Sequence, residues 1–188
     1  MAVDIFNNND LKIGVTLKSV APFFNNRTAS GKFSRRYSGI QYFEMDINLQ
    51  FQGEKQYIFD QWLSEYRYGK PFSFPISKSI NLKYRGNQSS LCTVTAPAMA
   101  GGRKLITTVS LEPGTRFTLT NQTKVYEVVS YDNQTKTMTI FPNLREQVSA
   151  GEIMNYQNPQ MKLVVTNGTI ETDLEQIVRL KITTTEAI

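Results

Sequence analysis

Histidine is absent from all 188 residues. That removes the commonest general base near neutral pH, the usual zinc ligand, and every Ser-His or Cys-His nucleophile pair. Cysteine occurs once, at Cys92. An intrachain disulfide and a thiolate metal site are therefore excluded. Its apolar neighbours Leu91 and Val94 predict a buried thiol rather than a reactive one. No apolar run approaches the ~18 residues of a membrane-spanning helix, and no signal-peptide core opens the chain. The expectation is a protein made in a cytoplasm, with no membrane insertion. A Walker loop is also missing. Gly101-Gly102-Arg103-Lys104 echoes a phosphate-binding turn but lacks the spacing and the Ser/Thr.

Carboxylate pairs remain as possible acid–base machinery. Glu44 with Asp46 falls on the polar side of a strand, Asp60 with Glu65 on the exposed side of a helix, and Glu171 with Asp173 in a hairpin region. All three read as solvated surface. No catalytic residue, metal ligand or cofactor is expected, and the chain is not expected to be an enzyme.

What the sequence does have is alternation. Phe43, Met45, Ile47, Leu49 and Phe51 are apolar, with Glu44, Asp46, Asn48 and Gln50 between them. A period of two predicts a long half-buried strand. After Gly53 the period changes: Ile58, Trp62 and Tyr66 recur four apart, the face of a helix over about 54–68. Gly69 and Pro71 stop it, and residues 72–76 read as a further strand. Residues 11–17 alternate as a first strand. Met161, Leu163 and Val165 form another, Asn167-Gly168 gives a two-residue hairpin signal, and residues 174–185 form the return arm. The two long strands near opposite ends of the chain are natural partners in one sheet.

Between them the texture differs. Residues 91–95, 104–109, 116–120, 124–131 and 137–141 read as short strands separated by turn pairs such as Pro113-Gly114 and Asp132-Asn133. The fold class expected is mainly β with one helix. Residues 1–82 and 159–188 would form a discontinuous β domain, and 83–158 an inserted module, an OB-like or SH3-like barrel or a small sandwich.

The formal charge of +5 permits an anionic partner without requiring one. The cations concentrate in residues 25–39, a polar segment with no core-forming period, carrying Arg27, Lys32, Arg35 and Arg36 beside Phe33 and Tyr37. A loop of this length is expected to be functional or to order on a partner. It could dock on a neighbouring subunit, or it could hold phosphates and stack bases. Tyr57, Trp62, Tyr66 and Tyr68 read chiefly as helix-to-sheet core, with a sugar-binding platform as a weaker alternative.

Arg35-Arg36-Tyr37-Ser38-Gly39 followed by an alternating strand, Ile58-Phe59-Asp60-Gln61-Trp62-Leu63, and Gly69-Lys70-Pro71-Phe72-Ser73-Phe74-Pro75 together resemble the minor and distal tail proteins of tailed bacteriophages. Gly114-Thr115-Arg116-Phe117, Lys124-Val125-Tyr126-Glu127-Val128 and Thr139-Ile140-Phe141-Pro142-Asn143-Leu144-Arg145 are similar to the small β module some of these proteins carry. The resemblance implies a tail-tube-like β fold that assembles into a ring, usually six-fold, at the tail tip or baseplate hub of a virion. Its partners would be copies of itself, tail-tube proteins, and tip or fibre proteins, with genomic DNA passing through without sequence-specific binding. On that reading Arg27, Lys32, Phe33, Arg35, Arg36 and Tyr37 meet the next subunit. Glu44, Asp46 and Asn48, or Arg179 and Lys181, face the channel. The rival expectation is a nucleic-acid-binding module built from the basic loop and the inserted barrel.

Overall fold

The computed structural model describes residues 5–78, 82–167, 169–170 and 176–187. The chain is mainly β. In chain order the strands are β1 (Lys12–Val20), β2 (Phe23–Arg27), β3 (Phe33–Tyr37) and β4 (Tyr42–Gln52); the helix α1 (Gln56–Tyr66) follows, then β5 (Phe72–Pro75). Next come β6 (Cys92–Thr93), β7 (Lys104–Ile106), β8 (Arg116–Leu119), β9 (Val125–Asp132), β10 (Thr137–Phe141) and β11 (Ile153–Asn155). The last two are β12 (Gln160–Val165) and β13 (Ile177–Glu186).

The alternating strands build one antiparallel sheet in the order β1-β4-β13-β12-β5. β13 lies beside β4 from Ile177↔Gln52 to Thr185↔Glu44, so the expected pairing of the two long strands is present. Their apolar residues share a face, and Met45, Ile47, Leu49, Val178, Leu180 and Ile182 are buried there. Helix α1 covers that face with Ile58, Phe59 and Trp62. Gly69, at φ 84°, turns the chain beyond the helix in a conformation glycine adopts freely. Phe72 then meets Trp62 edge-on at 5.0 Å. An N-terminal 3₁₀ turn, Ile5–Asn7, adds a plug that sequence reading overlooks. Ile5 is fully buried, and Phe6 packs on Trp62, Phe72 and Phe74.

Residues 92–155 form a second antiparallel sheet, β6-β11-β8-β9-β10-β7. It closes on itself through the Val94–Thr107 bridge, with Thr95 N–H donating to the Ile106 carbonyl and Thr108 N–H to that of Thr93. The product is a six-stranded barrel filled by Val94, Leu105, Phe117, Tyr126, Met138, Ile140 and Met154. An OB fold has five strands. The extra one, β11, is three residues long and lies just after Gly151, too short to show a period.

Two local expectations are corrected. Residues 25–39 are not an irregular loop: they hold most of an antiparallel hairpin, β2 paired to β3. Alternating aromatic and polar residues on a ribbon exposed on both faces give no hydrophobic period to read. The Asn167-Gly168 turn fails for a different reason. Val165 pairs with Thr184 and Leu163 with Glu186, so the return strand begins at Ile177 and no two-residue hairpin is made. Asn167 instead spends its side chain on the Thr183 N–H and the Thr169 carbonyl. Gly168, Glu171, Asp173 and Leu174, which carried other expectations, lie outside the described residues.

Sheet and barrel meet at a buried ion pair. Lys124 and Glu186 are both almost inaccessible, and their side chains bond at 2.5 Å. Glu186 also accepts the backbone N–H of Phe43 and of Val125, while the ammonium lies 4.9 Å from the Phe43 ring. Burial lowers the Lys124 pKa to about 8 against the pull of Glu186. Removing one member of such a pair leaves an uncompensated buried charge. Lys124→Met is expected to cost about 3–5 kcal/mol of stability in urea denaturation, with the Lys124→Met/Glu186→Gln double variant recovering part of that loss. Cys92 is buried against Met154, and desolvation raises its thiol pKa to about 11. It should therefore resist a thiol-reactive disulfide reagent in the native protein and react fully only on unfolding.

Candidate functional site

Three surfaces that the fold leaves uncovered among the described residues carry the residues singled out in the sequence. The β2–β3 hairpin is the most exposed. Nine of its ten strand residues are exposed, and only Tyr37 is half-buried. The register puts Phe23, Asn25, Arg27, Phe33, Arg35 and Tyr37 on one face and Phe24, Asn26, Ser34 and Arg36 on the other. Phe24 is 69% and Phe33 60% exposed. Arg35 stacks over the Phe23 ring at 3.6 Å, which leaves its cation on the surface.

The arm is preformed. At its tip Thr28 N–H donates to the Lys32 carbonyl, and Lys32 N–H to the Thr28 hydroxyl. Gly31, at φ 78°, closes the turn. At its root Ser38 N–H donates to the Pro22 carbonyl, and Tyr37 lies between Phe23 (5.5 Å) and Phe141 of the barrel (5.3 Å). Burial raises the Tyr37 phenol pKa, opposed by Arg103 and Arg145. Of the six residues expected at an interface, Arg27, Lys32, Phe33, Arg35 and Arg36 therefore lie on the exposed arm. Tyr37 does not: half-buried, it anchors the arm to its own barrel, its ring wedged at a tilt between Phe23 and Phe141.

The second surface is the polar face of the long-stranded sheet. Cross-strand register aligns Lys12–Gln50–Arg179, Gly14–Asn48–Lys181, Thr16–Asp46–Thr183 and Lys18–Glu44–Thr185. The expected channel residues Glu44, Asp46, Asn48, Arg179 and Lys181 thus share one face. Asp46 is not the solvated carboxylate its strand position suggests. It is 7% exposed and ion-paired to Lys181 at 3.0 Å and Lys18 at 3.1 Å. The hydrogen bond from Lys181 is the main reason its pKa is lowered; burial opposes this, and Lys18 adds to it. Lys12 and Lys18 of β1 also stand on this face, as does Lys162 of β12, and sequence reading assigns the β1 pair no role. Their alternation with Ile13, Val15 and Leu17 is the signal that could have placed them.

The third is the outer edge of β1, which among the described residues pairs with β4 alone. It is nine residues long, and its inward residues Ile13, Val15 and Leu17 are only half-buried. The opposite edge, β5, has four residues.

The barrel offers less. Among the described residues, the exposed aromatic rings are Phe23, Phe24, Phe33, Tyr57 and Tyr68, and none belongs to 83–158. A single-strand or sugar site of the stacking kind needs such rings, and Trp62 is buried in the helix-to-sheet core. The Gly101-Gly102 turn does not present amides to a phosphate. Gly101 N–H is bonded to the Leu144 carbonyl and Gly102 N–H to that of Met99. Among the described residues, no three carboxylate, cysteine or histidine side chains gather as a metal set, and no helix is long and apolar enough to cross a membrane.

A carboxylate whose pKa is lowered in the fold contributes stability above its ordinary value of 3.8, and that contribution is lost as pH falls through the folded value. Asp46→Asn should therefore be less stable than wild type at neutral pH, and the gap should close on acidification below about pH 4. Urea midpoints measured at several pH values read this directly.

A scan against models of known protein families finds no match, and no curated protein is significantly similar in sequence.

Proposed function

We propose that the protein is a structural component of a phage tail that assembles, through its arm and the β1 edge, into a closed ring at the tail tip or baseplate hub. The ring, six-fold by resemblance to distal tail proteins, joins the tail tube to tip or fibre proteins and surrounds the DNA channel. The observation that carries this reading is the arm. A two-stranded ribbon is marginal in water on its own, and this one leaves Phe24 and Phe33 mostly exposed among the described residues. A neighbouring copy supplies a cover. The open β1 edge gives that copy a strand to pair with, and a closed ring leaves no edge exposed.

On this reading Arg27, Lys32, Phe33, Arg35 and Arg36 contact the next subunit, with Phe24 joining them beside Arg36. The polar sheet face, with Glu44, Asn48, Arg179 and Lys181, turns toward the channel. Mass measurement of the native protein at high concentration, with negative-stain imaging of the same sample, tests the reading. A ring with a central hole is expected. Phe24→Asp/Phe33→Asp should leave the melting temperature within a few degrees of wild type, because neither ring is in the core, yet abolish the ring. A wild-type protein that stays monomeric throughout overturns self-assembly as the arm's purpose.

A further inference from the structure

The polar sheet face has a chemistry of its own. Five cations stand on it, Lys12, Lys18, Lys162, Arg179 and Lys181, against two carboxylates, Glu44 and Asp46. Asp46 is already committed to Lys18 and Lys181. Lys12 and Arg179 form no ion pair with any described residue. These two flank Gln50 in one cross-strand row, and with Lys181 and Asn48 they line a depression of about 480 Å³ whose floor is open because Gly14 has no side chain. A second depression of about 350 Å³ adjoins it through Lys12 and Gln50; Lys55 lines it too but is paired to Asp10 at 3.6 Å, so Lys12 is the cation it shares with the first.

We propose that this face binds the phosphodiester backbone of duplex DNA, with Lys12 and Arg179 as the principal contacts and the Asn48 and Gln50 amides as supporting donors. The proposal goes beyond ring formation and does not depend on it. Two strand spacings separate Lys12 from Arg179, about 10 Å, which is within the ~6–12 Å range of groove widths across which a duplex presents its phosphates. Six residues separate Lys12 from Lys18, about 20 Å along the strand, so the cations extend along a duplex as well as across it. No exposed ring lies on this face, so bases have nothing to stack on, and a paired backbone fits better than a single strand. Amides and ammonium groups on a flat sheet contact phosphates without reading base edges.

The test is fluorescence anisotropy of a short labelled duplex titrated with full-length protein over a range of salt concentrations. Wild type should bind at low salt. Lys12→Ala/Arg179→Ala should weaken binding about tenfold or more and reduce the salt slope by about two, because each neutralised phosphate contributes about 0.9 to that slope. Gly14→Asp should also weaken it, since a Cβ there meets Asn48 Cβ at 3.8 Å and the Asn48 carbonyl oxygen at 4.0 Å, both ordinary contacts, and the substitution adds a negative charge to the depression. Arg67→Ala/Lys104→Ala removes the same charge from exposed sites at the end of the helix and on the barrel and should bind as wild type does. The proposal is overturned by an absence of wild-type binding at low salt, by equal losses in the two double variants, or by tighter binding of single-stranded DNA of the same length. Ring formation is read separately by mass. A ring that ignores DNA sinks this proposal alone, and a monomer that binds DNA through Lys12 and Arg179 sinks the ring alone.

Discussion

The Glu186 carboxylate sits where three parts of the chain meet. One oxygen takes the Lys124 ammonium and the Phe43 N–H; the other takes the Val125 N–H. The start of β4, the start of β9 and the end of β13 are thereby fixed to one another. A buried ion pair is a weak source of net stability, because desolvation offsets most of the Coulomb gain. Its effect here is on geometry. The buried carboxylate takes its partners from both sheet and barrel, and this placement of one against the other supplies them. Arg145 adds a strut by donating to the Gln41 carbonyl at 3.1 Å.

That junction also decides which surfaces stay open. β13, at the C-terminal end, occupies the middle of the sheet between β4 and β12. The sheet's long pairing therefore joins residues more than a hundred positions apart, and it forms only when the last strand arrives. With the centre filled in this way, the exposed edge falls to β1. Its apolar row stays half-buried, while the helix packs Phe59 on Phe51 of β4 and Trp62 on Phe72 of β5.

How much of this was legible in the sequence follows from burial. The long strands, the helix and their pairing could be read because one side of each is dry, and dryness writes a period into the residues. β4 shows it most clearly, with Phe43, Met45, Ile47, Leu49 and Phe51 buried in alternation. The arm could not be read as strands because both of its faces are wet, so Phe24 and Arg36 share a face with no apolar rule to reveal it. β11 was too short to show a period. The Asn167-Gly168 signal is a local preference, overridden when Val165 is held opposite Thr184 by the rest of the sheet. Asp46 was misjudged for a related reason: its strand position was right, but its burial comes from two lysines on other strands. Lys18 lies 28 residues before it and Lys181 far beyond it, and only the fold brings them together.

The open surfaces differ in kind, and the difference bears on what each can hold. A free β edge is an aggregation hazard, commonly blunted by lysine. β1 carries Lys12 and Lys18, but only on its polar side; its other side remains apolar and half-covered. That asymmetry discourages indiscriminate pairing while permitting a partner that arrives in one orientation. The arm is biased the same way. Because its tip is closed by the Thr28–Lys32 bonds and its root is held by Tyr37 against Phe141, a docking neighbour would not have to order it. The conformational entropy that a flexible loop would lose on binding is already spent in folding. Exposed phenylalanines on a rigid ribbon suit a protein surface, whereas uncommitted cations over a shallow polar depression suit an anion. The two proposed contacts lie on separate elements, so each can be altered by substitution without touching the other.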